Sequence, residues 1–283
     1  MERTATVVLI AFVALTQLGW AEDPCGNHPE TSECARILSN LGSVYYSQAK
    51  YREAEPLFER AIALWSTFNP KAADMATTLH NLAAVYRAEA RYPEAIRTYK
   101  RALGLRESLN GPKAVGLVPL LNGLGAVYLA TGAPKRAEQL FHRAEVIDLA
   151  NRQPGDVELG YDAYNAALAA LEHKQYSVAE ARFQACLSIF SEHLPPNHPD
   201  IGSASAGLAE VYRRQGRLAE SATLYSKALD ILDQSWGTGD PRLVTILESY
   251  SDVLRTREDY AEAESMDTQA MKIRVVRALR GSH

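Results

Sequence analysis

The sequence predicts an all-α solenoid of about six antiparallel helix pairs, on three observations. Tyr45, Tyr86, Tyr128, Ala170, Tyr212 and Leu254 are spaced by 41 residues once and then by 42 four times. A small side chain follows nine residues after each, at Ala54, Ala95, Ala137, Ala179, Ser221 and Ala263, and another after sixteen, at Ala61, Ala102, Ala144, Cys186, Ala228 and Ala270. Within each period, apolar residues recur at helical spacing on both sides of a short turn. A fixed period of this size marks stacked units that bury their apolar faces on one another, so the 283 residues add units rather than globular domains.

The elements follow in order. Residues 1–21 read as a removable signal peptide: a short polar start with Arg3, an apolar run of eleven from Ala5 to Leu15, then small residues at Gly19 and Ala21. The run is shorter than the ~20 residues of a spanning helix, so no stable membrane insertion is expected after leader removal. The expected location is secreted or periplasmic, with cleavage near Ala21. Residues 22–34 form a leading segment with Cys25 and Cys34 nine apart. An oxidising compartment favours a disulfide between them, contributing about 2–3 kcal/mol; two free thiols on a frayed terminus are the alternative.

Residues 35–274 hold the six repeats, of which the second shows the plan. Leu79, Leu82 and Tyr86 lie on one face of a helix from about Met75 to Ala90, and Ala90, Arg91 and Tyr92 make a turn. Pro93 fits the first turn of a second helix that runs to about Leu109, with Ala95, Tyr99, Ala102 and Leu103 on its apolar face. Asn110, Gly111 and Pro112 end it. The alanine columns let helices approach to the short end of the ~8–10 Å interaxial range. Phe58, Tyr99, Phe141, Phe183 and Tyr225, thirteen after each anchor, fill the space beside them. Cys186 falls in the small column and reads as a packed core thiol.

These columns resemble the tetratricopeptide repeat, as in Leu38-Leu41-Gly42-Tyr45-Ala54-Phe58-Ala61 and Leu121-Leu124-Gly125-Tyr128-Ala137-Phe141-Ala144. The 42-residue period is similar to the longer repeats of kinesin light chains, and the loop from Leu194 to Ile201 resembles their inter-repeat loop. The resemblance implies a right-handed superhelix whose first helices line a concave groove for a peptide or a partner's helix. It covers residues 35–274, with departures in the fourth repeat, where Ala163 and Ala170 replace larger residues, and in the sixth, where Asp267 replaces the aromatic. The fourth is expected to form a looser joint. The resemblance also implies that the position five before each anchor faces the groove; here it reads Asn40, Asn81, Gly123, Asn165, Gly207 and Ser249. Asparagine both donates and accepts, so it suits a peptide backbone, or alternatively a bond to the neighbouring helix. His80, on the first helix of its repeat, is placed for ligand or solvent contact. Arg87, Arg213 and Arg214, just after their anchors, are placed to recruit a carboxylate, though Glu210 shares that surface.

No phosphate-cradling glycine loop, metal-ligand spacing or nucleophile elbow is present, so no catalytic, cofactor or metal site is expected and the chain reads as a non-enzyme. His193 and His198 flank two prolines and read as loop-capping residues. The hydrophobic fraction of 47%, charged fraction of 23% and net charge of −4 fit a folded soluble chain and give no reason to expect nucleic acid as a partner. Residues 275–283 complete a basic helix end with Ile273, Val276 and Leu279 on one side. It caps the last repeat, or it serves assembly or a membrane surface. The expected function is an exported protein-interaction scaffold; a homo-oligomer built through the terminal repeat faces is the alternative.

Overall fold

The computed structural model describes residues 24–25, 31–69 and 73–280; the expected signal peptide lies outside the described residues. Twelve α-helices occur among them, joined by turns and one short 3-10 segment, Val115–Leu117. The chain divides into two compact units, residues 1–133 and 134–283, each described by itself. The first unit holds α1 Ser32–Ser47, α2 Tyr51–Phe68, α3 Ala73–Ala88, α4 Tyr92–Asn110 and α5 Val118–Ala130. The second holds α6 Pro134–Asn151, α7 Val157–Glu172, α8 Tyr176–His193, α9 Pro199–Arg214, α10 Leu218–Trp236, α11 Leu243–Thr256 and α12 Tyr260–Arg280. The division falls between the two helices of the third repeat.

Each pair is closed by the same turn. The residue four after the anchor takes a positive φ in all six repeats: Ala49, Ala90, Gly132, Lys174, Gly216 and Glu258, at 57° to 78°. The next backbone N–H then donates to the anchor carbonyl, as Arg91 does to Tyr86 at 2.8 Å and Arg217 to Tyr212 at 2.9 Å. This satisfies a carbonyl that the helix end leaves without an intrahelical partner and reverses the chain within three residues.

The small columns are buried where the helices of a pair face each other. Ala54, Ala61, Ala95, Ala102, Ala179, Cys186 and Ala228 are all sealed from solvent. Ser221, in the first of these columns, donates its Oγ to the Ala209 carbonyl at 2.8 Å, and Ser251, three before its anchor, donates to the Ala263 carbonyl at 3.2 Å. A Cβ on Gly42 would lie 2.8 Å from the Phe58 ring, so only glycine permits that approach.

The fourth repeat is not opened by its missing tyrosine. Ala170 is buried in one cluster with Phe183, Leu208 and Tyr212. The Tyr164 ring meets Phe183 edge-on at 5.8 Å and supplies aromatic volume from one side of the gap. α7 packs on α6, and α8 on α9, at least as closely as helices meet at the other seams within the units, which corrects the expected looser joint.

Within each unit, first helices touch one another: α1 with α3, α3 with α5, α7 with α9 and α9 with α11. No second helix contacts another second helix among the described residues. The first-helix side is therefore the tighter, inner side of each unit.

Candidate functional site

The column five before the anchor lies at the seam between repeats. A Cβ on Gly123 would stand 2.6 Å from the Tyr99 ring of the preceding second helix, and one on Gly207 would stand 2.4 Å from Phe183. Asn81 is half-buried and donates to Ser43 Oγ of the preceding first helix at 3.1 Å. Asn165 on α7 is likewise half-buried, whereas Asn40 on α1 is exposed. Asn81 and Asn165 thus sit at two of the seams, with the Asn81 amide nitrogen already engaged.

In the first unit the structure brings His80, Arg87 and Tyr99 together. Tyr99 is buried, and the exposed Arg87 lies at its hydroxyl; burial, outweighing this cation, raises the Tyr99 pKa. The His80 ring meets Tyr99 edge-on at 5.7 Å, and its Nδ1 is buried with no hydrogen-bond partner among the described residues. Burial, then the charges of Arg87 and Arg106, push the His80 pKa below its ordinary value. Arg87 makes no ion pair among the described residues. Tyr46 of α1 stands on the same side, its ring 5.7 Å from Tyr51.

The second unit solves the equivalent positions differently. Arg213 Nε and Arg214 Nε both donate to Glu210, at 2.7 and 2.6 Å, and the Tyr225 hydroxyl donates to the same carboxylate at 2.8 Å. Burial pushes Glu210 up, but these three donors outweigh it and hold the carboxyl below its usual range. Arg255 pairs with Asp267. Arg213 and Arg214 thus share one carboxylate within their own repeat, and only Arg87 of the three arginines lacks an acidic partner among the described residues. The difference is one position: Glu210 stands two before its anchor, where the second repeat has Ala84.

A further recurring device was missed in the sequence. Arg91 stacks over the Tyr86 ring at 4.4 Å and bonds Glu55 of the preceding second helix at 2.8 Å. Arg217 repeats this over Tyr212, at 3.7 Å, with Glu180 at 2.8 Å. The arginine is five after one anchor and the glutamate ten after the anchor before it. Of the other seams within the units, two lose both, Ile96 with Ala133 and Ala222 with Asp259, and one keeps the glutamate alone, Glu138 with Gln175. The arginine five after an anchor, present only where the preceding repeat carries the glutamate, was the available signal.

Among the described residues, no group of three or more metal-ligating side chains is present, and no helix is long and apolar enough to cross a membrane. Burial pushes the Cys186 thiol up to about 12, so it stays protonated and inert. The His198 ring nitrogen accepts from the Asp200 N–H at 3.3 Å at the start of α9, and His193 bonds the Gly155 carbonyl. Cys25 and Cys34 are joined by a disulfide with Cα atoms 5.1 Å apart, against Leu38, Leu57 and Ala61.

The tetratricopeptide repeat profile matches residues 33–108, 74–150, 162–234 and 200–274. The chain belongs to the tetratricopeptide repeat family. Solved tetratricopeptide-like structures share its fold at low identity. A Podosopora anserina protein described as a kinesin light chain with nearly identical TPR-like repeats is 19% identical, with a TM-score of 0.61 over 74% of this chain and 98% of its own. BtubC (BKLC) of P. vanneervenii is 16% identical, with a TM-score of 0.61 over 83% of this chain and 92% of its own. A Rap protein complexed with Competence and Sporulation Factor is 15% identical, with a TM-score of 0.62 over 86% of this chain and 76% of its own. No curated protein matches the sequence. As a tetratricopeptide array, the chain is all-α, with helices packed in adjacent pairs and a surface suited to protein partners.

Proposed function

We propose that the chain is an exported, non-catalytic scaffold that grips a peptide or partner helix on the inner face of its first unit, through an acidic group of the ligand. The carrying observation is Arg87: an exposed guanidinium between Tyr99 and His80 with no acidic partner among the described residues. A ligand carboxylate would give it the bidentate bond that Glu210 gives Arg213. Asn81 adds an amide for the ligand backbone. A Rap protein of similar fold is complexed with Competence and Sporulation Factor, which supports a binding role by analogy.

The test is selection from a displayed random-peptide library. Peptides enriched on the wild type should carry Asp or Glu, and Arg87→Glu should weaken them at least tenfold, about 1.4 kcal/mol. Arg214→Glu should change binding much less. Enrichment of uncharged peptides, or equal binding by the Arg87 variant, would remove the assignment.

Export is supported by the apolar leader at residues 5–15 and by the Cys25–Cys34 disulfide, a bond kept in oxidising compartments. Intact-mass measurement of protein recovered outside the cytoplasm should place the mature N-terminus at Glu22. Recovery of the full chain only from the cytoplasm would sink this part.

A further inference from the structure

We propose that the outer face of α12 docks on the outer face of α1 of a second copy, repeating at that join the seam that links consecutive repeats. The residue just before the anchor seals every seam. Val85, Val127, Ala169, Val211 and Val253 are at most 1% exposed, and Val211 and Val253 cluster with aromatic residues of the preceding second helix. Val44 is the same column in α1 and is 50% exposed, because no helix among the described residues covers that side. At the other end, Met271 occupies the column of Ile62 and Leu229, each 7% exposed, yet Met271 is 67% exposed.

The polar parts of the seam are present as well. Glu264 stands ten after its anchor, where Glu55 and Glu180 bind the next repeat's arginine, and it has no ion pair among the described residues. Lys50 stands five after its anchor, over the Tyr45 ring at 5.7 Å, in the pose that Arg91 and Arg217 hold over their tyrosines. In the register of the internal seams, Glu264 of one copy meets Lys50 of the next. Asp267 then opposes Asn40. Where an internal seam sets Tyr99 on Gly123 or Phe183 on Gly207, this join sets a carboxylate on an amide. Asp267 also pairs with Arg255 in its own repeat, and its carboxylate keeps lone pairs for the Asn40 amide. Such a join is heterologous, so each complex keeps one free α1 face and one free α12 face, and mass grows with concentration instead of stopping at two.

Sedimentation velocity on the purified chain tests this across the micromolar range at low and high salt. The wild type should shift to larger species as concentration rises, and salt should weaken the shift. Glu264→Lys and Lys50→Glu should each lower association at least tenfold with unchanged helical circular dichroism. An equimolar mixture of the two variants should associate again, because the charge-reversed α12 face of one fits the charge-reversed α1 face of the other. Met271→Asp should also disperse the wild-type species, independently of the charge pair. A wild type that stays monomeric, a symmetric dimer that ignores both reversals, or a mixture that fails to reassociate would overturn the proposal.

Discussion

At His80, burial and two neighbouring guanidinium groups, Arg87 and Arg106, disfavour the charged imidazole, so the folded chain holds it neutral below the ordinary value of 6.5. The unfolded chain takes up the proton near 6.5 while the folded chain does not. Stability supplied by this site is therefore complete above 6.5 and is lost as pH falls towards the lower folded value. His80→Gln should accordingly flatten the fall of Tm between about pH 7 and pH 5 relative to wild type. Parallel Tm curves for the two proteins would show that other groups carry the slope. The sequence placed His80 on an inner face but could not show this, since Arg106 reaches it from the next helix. Cys186 was legible, because its alanine column defined its surroundings. The fates of Arg87 and Arg213 were not, because they depend on whether residue 84 or 210 carries a carboxylate.

The helices themselves were readable to within two residues: a segment expected from Met75 to Ala90 is Ala73–Ala88, and one from Pro93 to Leu109 is Tyr92–Asn110. The turns between them were not, since four of the six left-handed positions carry Ala, Lys or Glu instead of glycine. Left-handed backbone costs an L-residue about 1 kcal/mol, so Lys174→Gly and Glu258→Gly should each raise the urea midpoint by a corresponding amount. A lowered midpoint would mean that their side chains hold the turn. Glycines inside helices divide by what stands opposite. A Cβ at Gly123 would force the buried Tyr99 ring to move, and Gly123→Ala should cost about 1–3 kcal/mol. Gly104 on α4 has nothing within 4 Å of a new Cβ, and Gly104→Ala should stabilise by up to about 1 kcal/mol. Chemical denaturation of the pair separates crowding from helix propensity.

For the molecule as a whole, six repeats and their register were plain from Tyr45 to Leu254, but the division after Ala133 was not. The third repeat keeps Tyr128, Ala137, Phe141 and Ala144, so no column marks the change. Because repeats are stabilised mainly by their neighbours, local perturbations should stay local. Reducing the Cys25–Cys34 disulfide should speed amide exchange in α1 and α2 and leave α9 to α12 unchanged. Exchange accelerated at both ends would require coupling along the entire chain. The uneven seams carry a last consequence, for how such a chain avoids folding wrongly. Similar helix pairs emerging in succession can stack on the wrong neighbour, a common failure of repeat proteins. Here an out-of-order stack would often place Glu55 or Glu180 against Ala133 or Asp259, stranding a carboxylate or opposing two, while the correct order meets Arg91 and Arg217. The clamps thus penalise stacking on repeats that lack the arginine, without distinguishing Arg91 from Arg217.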